Sequence, residues 1–344
     1  MKSVVKFFAL LFLITSISGC ATTVGVNVER PAELDLNGAT SISIIPFTYE
    51  RSSHSFRRDK KIEELAIYTT SELEKKILYS EYLTLVDSKD LAYTLRHNLE
   101  PACDVYIKGH IKDYQERILE DKRKVISKDS DGNEITKYVT DYKLKIKFSI
   151  YYKIIDAETR EIIYSTTENY EKSSSEYKDP RDLPSASSLA KSSISSYSSK
   201  LMKKIAPYTV HRNISMMKDK SKNTNMKLAN EFVKDGQINI AKEEYLEVYK
   251  QTGLLEAGYN AARLLEAQGN YEEAEKLMFE IYQKTANKKV YSALNDIRYE
   301  IRAARRLENQ IKAAKKMQAQ LEQREERENA EAVSETIPEE LKEK

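Results

Sequence analysis

Tryptophan is absent from the 344 residues, histidine occurs four times, cysteine twice and glycine nine times. Each scarcity removes a class of chemistry. Two cysteines cannot form a disulfide framework. No glycine-rich phosphate-binding loop occurs. His54, His97, His110 and His211 never lie within a helical turn of one another, and Cys103 lacks a metal-ligand spacing to the histidines on either side, so no metal site is expected. Serine is plentiful, yet none sits in a Gly-x-Ser-x-Gly turn or beside a base signature. Neither sign of charge prevails, with 56 basic against 54 acidic residues, which leaves no basic footprint for nucleic acid. The carboxylates near the C-terminus are interleaved with Lys and Arg, the pattern of a solvated helix face. These absences point to a chain that is not an enzyme, carries no cofactor and binds no nucleic acid.

Long apolar runs are also missing, apart from Phe7-Phe8-Ala9-Leu10-Leu11-Phe12-Leu13-Ile14. Preceded by Lys2 and Lys6 and followed by Ile17-Ser18-Gly19-Cys20, this run reads as an export signal over 1–19, and it is too short to span a bilayer. The small residues before Cys20 resemble the lipobox of bacterial lipoproteins. That resemblance implies cleavage between Gly19 and Cys20 and acylation of Cys20, each buried methylene contributing about 0.8 kcal/mol. Ala21, rather than an aspartate, follows the cysteine, which by the same resemblance implies the outer membrane, with the body in the periplasm. Removal of Lys2 and Lys6 would leave 54 basic against 54 acidic residues. With Cys20 acylated, Cys103 has no partner and is expected to be a small buried apolar side chain.

The remaining chain divides by periodicity. Residues 20–37 show no clear period and are expected to be a lipidated tether. A first domain over 38–207 begins with the β-branched run Ser41-Ile42-Ser43-Ile44-Ile45-Pro46-Phe47, then a helix over 59–79 with Ile62, Leu65, Ala66, Thr69, Leu73 and Ile77 on one face, then the strand Tyr82-Leu83-Thr84-Leu85-Val86 and a short helix capped by Asp87 or Ser88. From Asp104 the pattern alternates into a charged hairpin that turns at Asp131-Gly132-Asn133. In the return strand Leu144, Ile146, Phe148, Ile150, Tyr152 and Ile154 alternate with Lys143, Lys145, Lys147, Ser149, Tyr151 and Lys153, so one face is core and one is wet. Asp156-Ala157-Glu158-Thr159-Arg160-Glu161 turns into Ile162-Ile163-Tyr164-Ser165-Thr166, completing an antiparallel pair. Residues 173–183 read as a loop and 185–206 as a helix ended by Pro207.

The segments Ile44-Ile45-Pro46-Phe47, Cys103-Asp104-Val105-Tyr106-Ile107-Lys108-Gly109 and Ile154-Ile155-Asp156-Ala157-Glu158-Thr159 resemble the curli-secretion-channel (CsgG-like) lipoprotein domain, a type also found in lipoprotein activators of penicillin-binding proteins. Arg160 stands where that family often has glycine. In curli channels the equivalent hairpins become barrel strands, which need lipid-facing apolar alternation. Arg117, Glu120, Asp121, Lys122 and Arg123 oppose that.

After a linker over 208–224, two segments repeat at a period of 33. Ala229, Phe232, Gly236, Ala241, Tyr245 and Val248 recur as Ala262, Leu265, Gly269, Ala274, Met278 and Ile281. The pattern resembles the tetratricopeptide repeat, which implies that Gly236 and Gly269 close the first helix of each pair and that Ala229, Ala241, Ala262 and Ala274 let helices approach. A long helix with Val290, Leu294, Ile297, Ile301, Ala304, Leu307, Ile311, Ala314 and Leu321 along one seam caps the repeats, so this second domain covers 225–321. Residues 322–344 are charged and apolar-poor and are expected to form a disordered tail.

The expected fold class is α+β: an α/β sheet domain with a long antiparallel hairpin, then an all-α repeat domain. The expected function is that of a periplasmic protein-binding or assembly factor, anchored in membrane lipid through Cys20 and holding an envelope protein through its helical repeats. The alternative is one subunit of a homo-oligomeric secretion pore of the outer membrane.

Overall fold

The computed structural model describes residues 22–50, 56–128, 130 and 134–335. The signal segment, Gly19, Cys20, His54, the turn Asp131-Gly132-Asn133 and residues 336–344 lie outside them. The protein is a mixed α/β protein with antiparallel and mixed sheets, and its chain forms two units. One joins residues up to Pro31 with Pro207–Gln310, and the other joins Ala32–Ala206 with Ile311 onward.

The first element, β1 (Thr23–Arg30), occupies the expected tether and finds its partner late in the chain. The sheet unit follows. Strand β2 (Ser41–Ile44) lies between β4 (Thr84–Val86) and β5 (Val105–Lys128), parallel to both, while the short β3 (Thr48–Tyr49) adds to the same edge of β5. Long helix α1 (Phe56–Leu78) links β3 to β4, and α2 (Ser88–His97) links β4 to β5. Strands β6 (Glu134–Asp156) and β7 (Ile162–Ser173) extend the sheet in antiparallel fashion. Helix α3 (Ala186–Ile205) closes the unit.

Local chemistry sets these boundaries. Asp87 Oδ1 accepts the Lys89 amide at 2.8 Å to start α2, and Ser185 Oγ accepts the Ser188 amide at 3.1 Å to start α3. Asp104 Oδ2 accepts the amides of Thr40 and Ser41, both at 2.8 Å, which fixes the entry of β2 beside β5. The even-numbered residues of β6 from Leu144 to Ile154 are buried, and those from Ile146 onward share one core with Leu65, Leu73 and Ile77 of α1 and Ile194, Tyr197 and Leu201 of α3. On the opposite face α2 packs Leu91 with Cys103 and Ala157. The turn after β6 is held by Asp156 Oδ1, which accepts the amides of Glu158 and Thr159. Arg160 in that turn has φ +60°.

Between Lys112 and Gln115 the β5 to β6 register shifts, and Asp113 there adopts φ +57°. This bulge moves the inward parity of β5 from odd to even residues, so that Tyr114 is buried and Glu116 meets Lys61 of α1 at 2.6 Å. Beyond Lys145, where β7 ends its pairing, β5 and β6 continue alone as an arm to the pair Lys128 and Glu134. The arm base is clamped by a bridge between Tyr142 and Tyr177 and by Asp141, which binds Arg123 at 2.7 Å and also Lys178.

The second unit opens with β8 (Tyr208–Ser215), antiparallel to β1 from Thr23 beside Ser215 to Arg30 beside Tyr208. Four helices follow: α4 (Thr224–Lys234), α5 (Ile238–Thr252), α6 (Leu255–Ala267) and α7 (Tyr271–Thr285). Connections of two or three residues turn each antiparallel to the last. Helix α8 (Lys288–Glu335) completes the chain.

Three expectations are corrected here. The tether over 20–37 contains β1, whose Val24 and Val26 are buried against Ile214, and also Ala32 and Leu36, both buried. The linker over 208–224 contains β8, because Val210, Arg212 and Ile214 alternate inward opposite Val28, Val26 and Val24. The tail begins later than 322, since α8 runs on to Glu335 through helix-favouring Glu, Arg, Ala and Gln with no Gly or Pro.

Candidate protein-contact surface

The repeated residues organise the helical unit. Ala229, Ala241, Ala262 and Ala274 are all fully buried at helix contacts. Gly236 and Gly269 both have positive φ, +74° and +81°, and close α4 and α6 with the same bond pair. Each glycine amide reaches back three residues, and the next amide bonds the carbonyl of Phe232 or Leu265. The period of 33 extends to turns that sequence reading passed over. Gly253 and Ala286 both occupy the left-handed region and donate to Tyr249 and Tyr282, each at 2.8 Å. Gly258 marks a close approach within this unit: an added Cβ would meet Ile281 and Tyr249, each at 2.8 Å.

Helix α6 is buried from Ala257 through Glu266, so its polar residues need internal partners. Asn260 accepts the Met217 amide at 2.6 Å and donates to the Met217 carbonyl at 3.0 Å. Glu266 binds Arg212 of β8 at 3.2 Å and Arg263 at 2.7 Å. Glu300 of α8 binds Arg212 at 2.7 Å and receives both Nη groups of Arg30 of β1. Burial raises the Glu266 carboxyl above its ordinary range, opposed by Arg263 and Arg212. Burial would lower the Arg30 guanidinium, but the bond to Glu300 and the charge of that carboxylate, with smaller help from Tyr299 and Tyr271, together outweigh it and leave it raised. The chain of five charges thereby fastens β1 and β8 to α6 and α8. Sequence reading missed it because its members are scattered from residue 30 to residue 300.

An aromatic seam runs along the outer side of α7 and α8. Phe279 and Tyr291 are 40% and 48% exposed, and Tyr282 stacks obliquely on Tyr291 with ring centroids 5.2 Å apart. Arg298 lies 5.7 Å over the Phe279 ring while its Nε donates to Glu275 at 2.7 Å. Glu275, Phe279 and Tyr282 share one face of α7, and Tyr291 and Arg298 share one face of α8. Aromatic rings and arginine held rigidly on helices are the side chains that dominate protein contacts. Their i, i+4 and i, i+7 spacing was present in the sequence, but nothing there distinguished them from core aromatics.

The remaining candidates do not converge. Cys103 is buried, its thiol donates to the Val105 carbonyl at 3.2 Å, and burial pushes it up to about 12. His97 stacks on Tyr93, His110 on Tyr151, and His211 pairs with Asn27 at 3.0 Å, on three separate elements. Among the described residues no group of three or more His, Cys, Asp or Glu could hold a metal ion. No helix among them is long and apolar enough to cross a membrane.

No protein-family model matches this chain, and no curated protein does. Solved structures give partial likenesses. A hypothetical protein of Chlamydia trachomatis is 11% identical, with a TM-score of 0.22 over 39% of this chain and 73% of its own. The PelC dodecamer of Paraburkholderia phytofirmans is 11% identical, with a TM-score of 0.26 over 54% of this chain and 99% of its own. A putative neuraminyllactose-binding hemagglutinin homolog of Helicobacter pylori is 11% identical, with a TM-score of 0.29 over 52% of this chain and 88% of its own.

Proposed function

We propose that the protein is a lipoprotein of the outer membrane, acylated at Cys20, that acts without catalysis as a binding and assembly factor for an envelope protein in the periplasm. Its sheet unit is read as a curli-secretion-channel-like domain and its helical unit as tetratricopeptide-like repeats capped by α8. The observation that carries the reading is the seam of exposed Phe279 and Tyr291 flanked by half-buried Tyr282 and Arg298, held on rigid helices and open to a partner's apolar side chains. The arm supports assembly over a pore. Its pairing puts Glu120, Lys122 and Lys124 on one face and Asp121, Arg123 and Lys137 on the other, so neither face carries the apolar alternation a lipid-facing strand requires.

The test places a photo-crosslinking side chain at Tyr291 of the full chain in intact cells. One envelope protein is expected to be trapped, and Phe279→Asp is expected to lower that adduct roughly tenfold or more while the thermal midpoint stays unchanged. Absence of an adduct, or an adduct indifferent to Phe279→Asp, removes the reading. Fatty-acid labelling of the same cells is expected to mark the wild type and not Cys20→Ser. Equal labelling removes the anchor.

A further inference from the structure

One end of the helical unit gathers lysine. The antiparallel order of α4 to α8 brings to a single pole the start of α4, the end of α5, the start of α6, the end of α7 and the start of α8. Strand β8 runs to the same pole, because Arg212 meets Glu266 near the end of α6 whereas Met217 meets Asn260 nearer its start. Thr23 pairs with Ser215, so β1 starts there too. At this pole stand Lys218, Lys220 and Lys222 in the loop after β8, Lys227 in α4, Lys250 in α5, and Lys288 and Lys289 in α8, all exposed, together with Lys284 of α7, which pairs with Glu280 one turn back. Over the same segments, 216–227, 250–256 and 284–289, the acids are Asp219 and Glu256 alone. The turns at the opposite pole, 234–237 and 268–273, carry one lysine against Asp235, Glu272 and Glu273.

The loop that carries three of the lysines is built, not loose. Asp219 Oδ1 accepts from the Ser221 amide at 2.8 Å and from its hydroxyl at 2.6 Å, Ser221 Oγ accepts the Asn223 amide, and Asn223 Oδ1 caps α4 by accepting the amides of Asn225 and Met226. Asp219 is thereby occupied as a local cap, and the lysines project outward. Cys20 precedes Thr23 by three residues, a reach of about 10 Å at full extension.

We infer that this lysine pole is a membrane-contact surface that takes anionic phospholipid headgroups beside the acyl chains on Cys20. The inference rests on the anchoring reading for its geometry, since β1 starts at this pole and Cys20 stands three residues before Thr23 in the sequence. Each lysine near an anionic surface strengthens adsorption, and a basic patch beside an acyl chain is the two-signal arrangement that makes attachment firm. Lipid is favoured over other polyanions because the anchor would hold this pole against it.

The test uses a chain begun at Ala21, which keeps every described residue and lacks the acyl acceptor, in flotation with vesicles of phosphatidylcholine alone or with phosphatidylglycerol added. Binding to the anionic vesicles alone is expected, weakening as salt rises. Replacing Lys218, Lys220 and Lys222 together by Gln is expected to lower it on the order of 100-fold. The lysines are exposed, so the thermal midpoint of that variant should equal the parent's. Equal binding to both vesicle types, no binding, or a triple variant that binds like the parent overturns the inference. Because this chain cannot be acylated, its result is independent of whether Cys20 carries lipid. Mass spectrometry of the full chain from cells decides the anchor separately.

Discussion

One residue stores backbone cost and another stores electrostatic stability, and a substitution can reveal each. Ala286 takes φ +48° at the turn where the preceding repeat has Gly253, and a side chain in the left-handed region carries a penalty that glycine escapes. Ala286→Gly is therefore expected to stabilise the helical unit by about 0.5–1 kcal/mol, read as a rise in its denaturation midpoint. An unchanged or lower midpoint would refute this. Asp141 presents an electrostatic case. The bond from Lys178, aided by Arg123 and opposed by desolvation, holds its carboxyl below the ordinary value of 3.8. Its folded-state value is depressed, so its contribution is present above that ordinary value and is lost as pH falls through the folded one. Exchange of the Tyr142 amide, which donates to Tyr177 at 2.8 Å, should accelerate in that acid window, and Asp141→Asn should abolish the pH step. An identical profile in the variant would separate Asp141 from the clamp.

At the scale of elements, the β1 and β8 ribbon hangs on Glu300. It is 2% exposed and balances Arg30 and Arg212 together, so its removal strands buried Arg30 without a carboxylate and leaves Arg212 with Glu266 alone. Breaking a buried pair in this way costs about 3–5 kcal/mol. Glu300→Ala should therefore melt the helical unit early and expose the amides of Val24, Val26 and Ile214 to hydrogen exchange first, whereas a loss confined to α8 would count against the network. Elements of strong local period were legible in the sequence: the alternation of β6, the short helix capped by Asp87 or Ser88, which starts at Asp87, and the helix read over 185–206 all correspond to observed structure. The ribbon was not. Val24, Val26 and Val28 do alternate, but a two-residue period over one short stretch has no meaning until its partner is found, and β8 lies far along the chain. The bulge at Asp113 was equally silent, since nothing in Lys112-Asp113-Tyr114 announces a left-handed residue inside a strand. The contact seam stayed hidden for another reason: exposure, unlike periodicity, is decided by what the rest of the chain leaves uncovered.

On the scale of the whole molecule, each unit buries its own apolar residues, the sheet unit around Phe148, Tyr152 and Tyr197 and the helical unit in two clusters, one around Tyr245 and Ala261 and one around Ile297. The helical unit is discontinuous in sequence, and that has a consequence for how the chain acquires its shape. Strand β1 precedes the entire sheet unit in the chain and has no mate until β8, so its open edge must wait. The wait is shortened by the sheet unit itself. Glu33 and Leu34 donate backbone bonds to the carbonyls of Lys203 and Lys204, at 3.1 and 2.9 Å, which pins together the two chain ends from which β1 and β8 depart. A closure that would span the whole intervening chain is thus reduced to one of a few residues, and since the entropy of closure grows with loop length, most of that cost is met before pairing begins. The order of assembly is set accordingly: the sheet unit matures first and acts as the template on which the ribbon zips from Arg30 and Tyr208 toward Thr23 and Ser215. Pulse-labelled refolding should protect Leu34 before Val28 and Val28 before Val24, and simultaneous protection of all three would mean that the ribbon needs no such template.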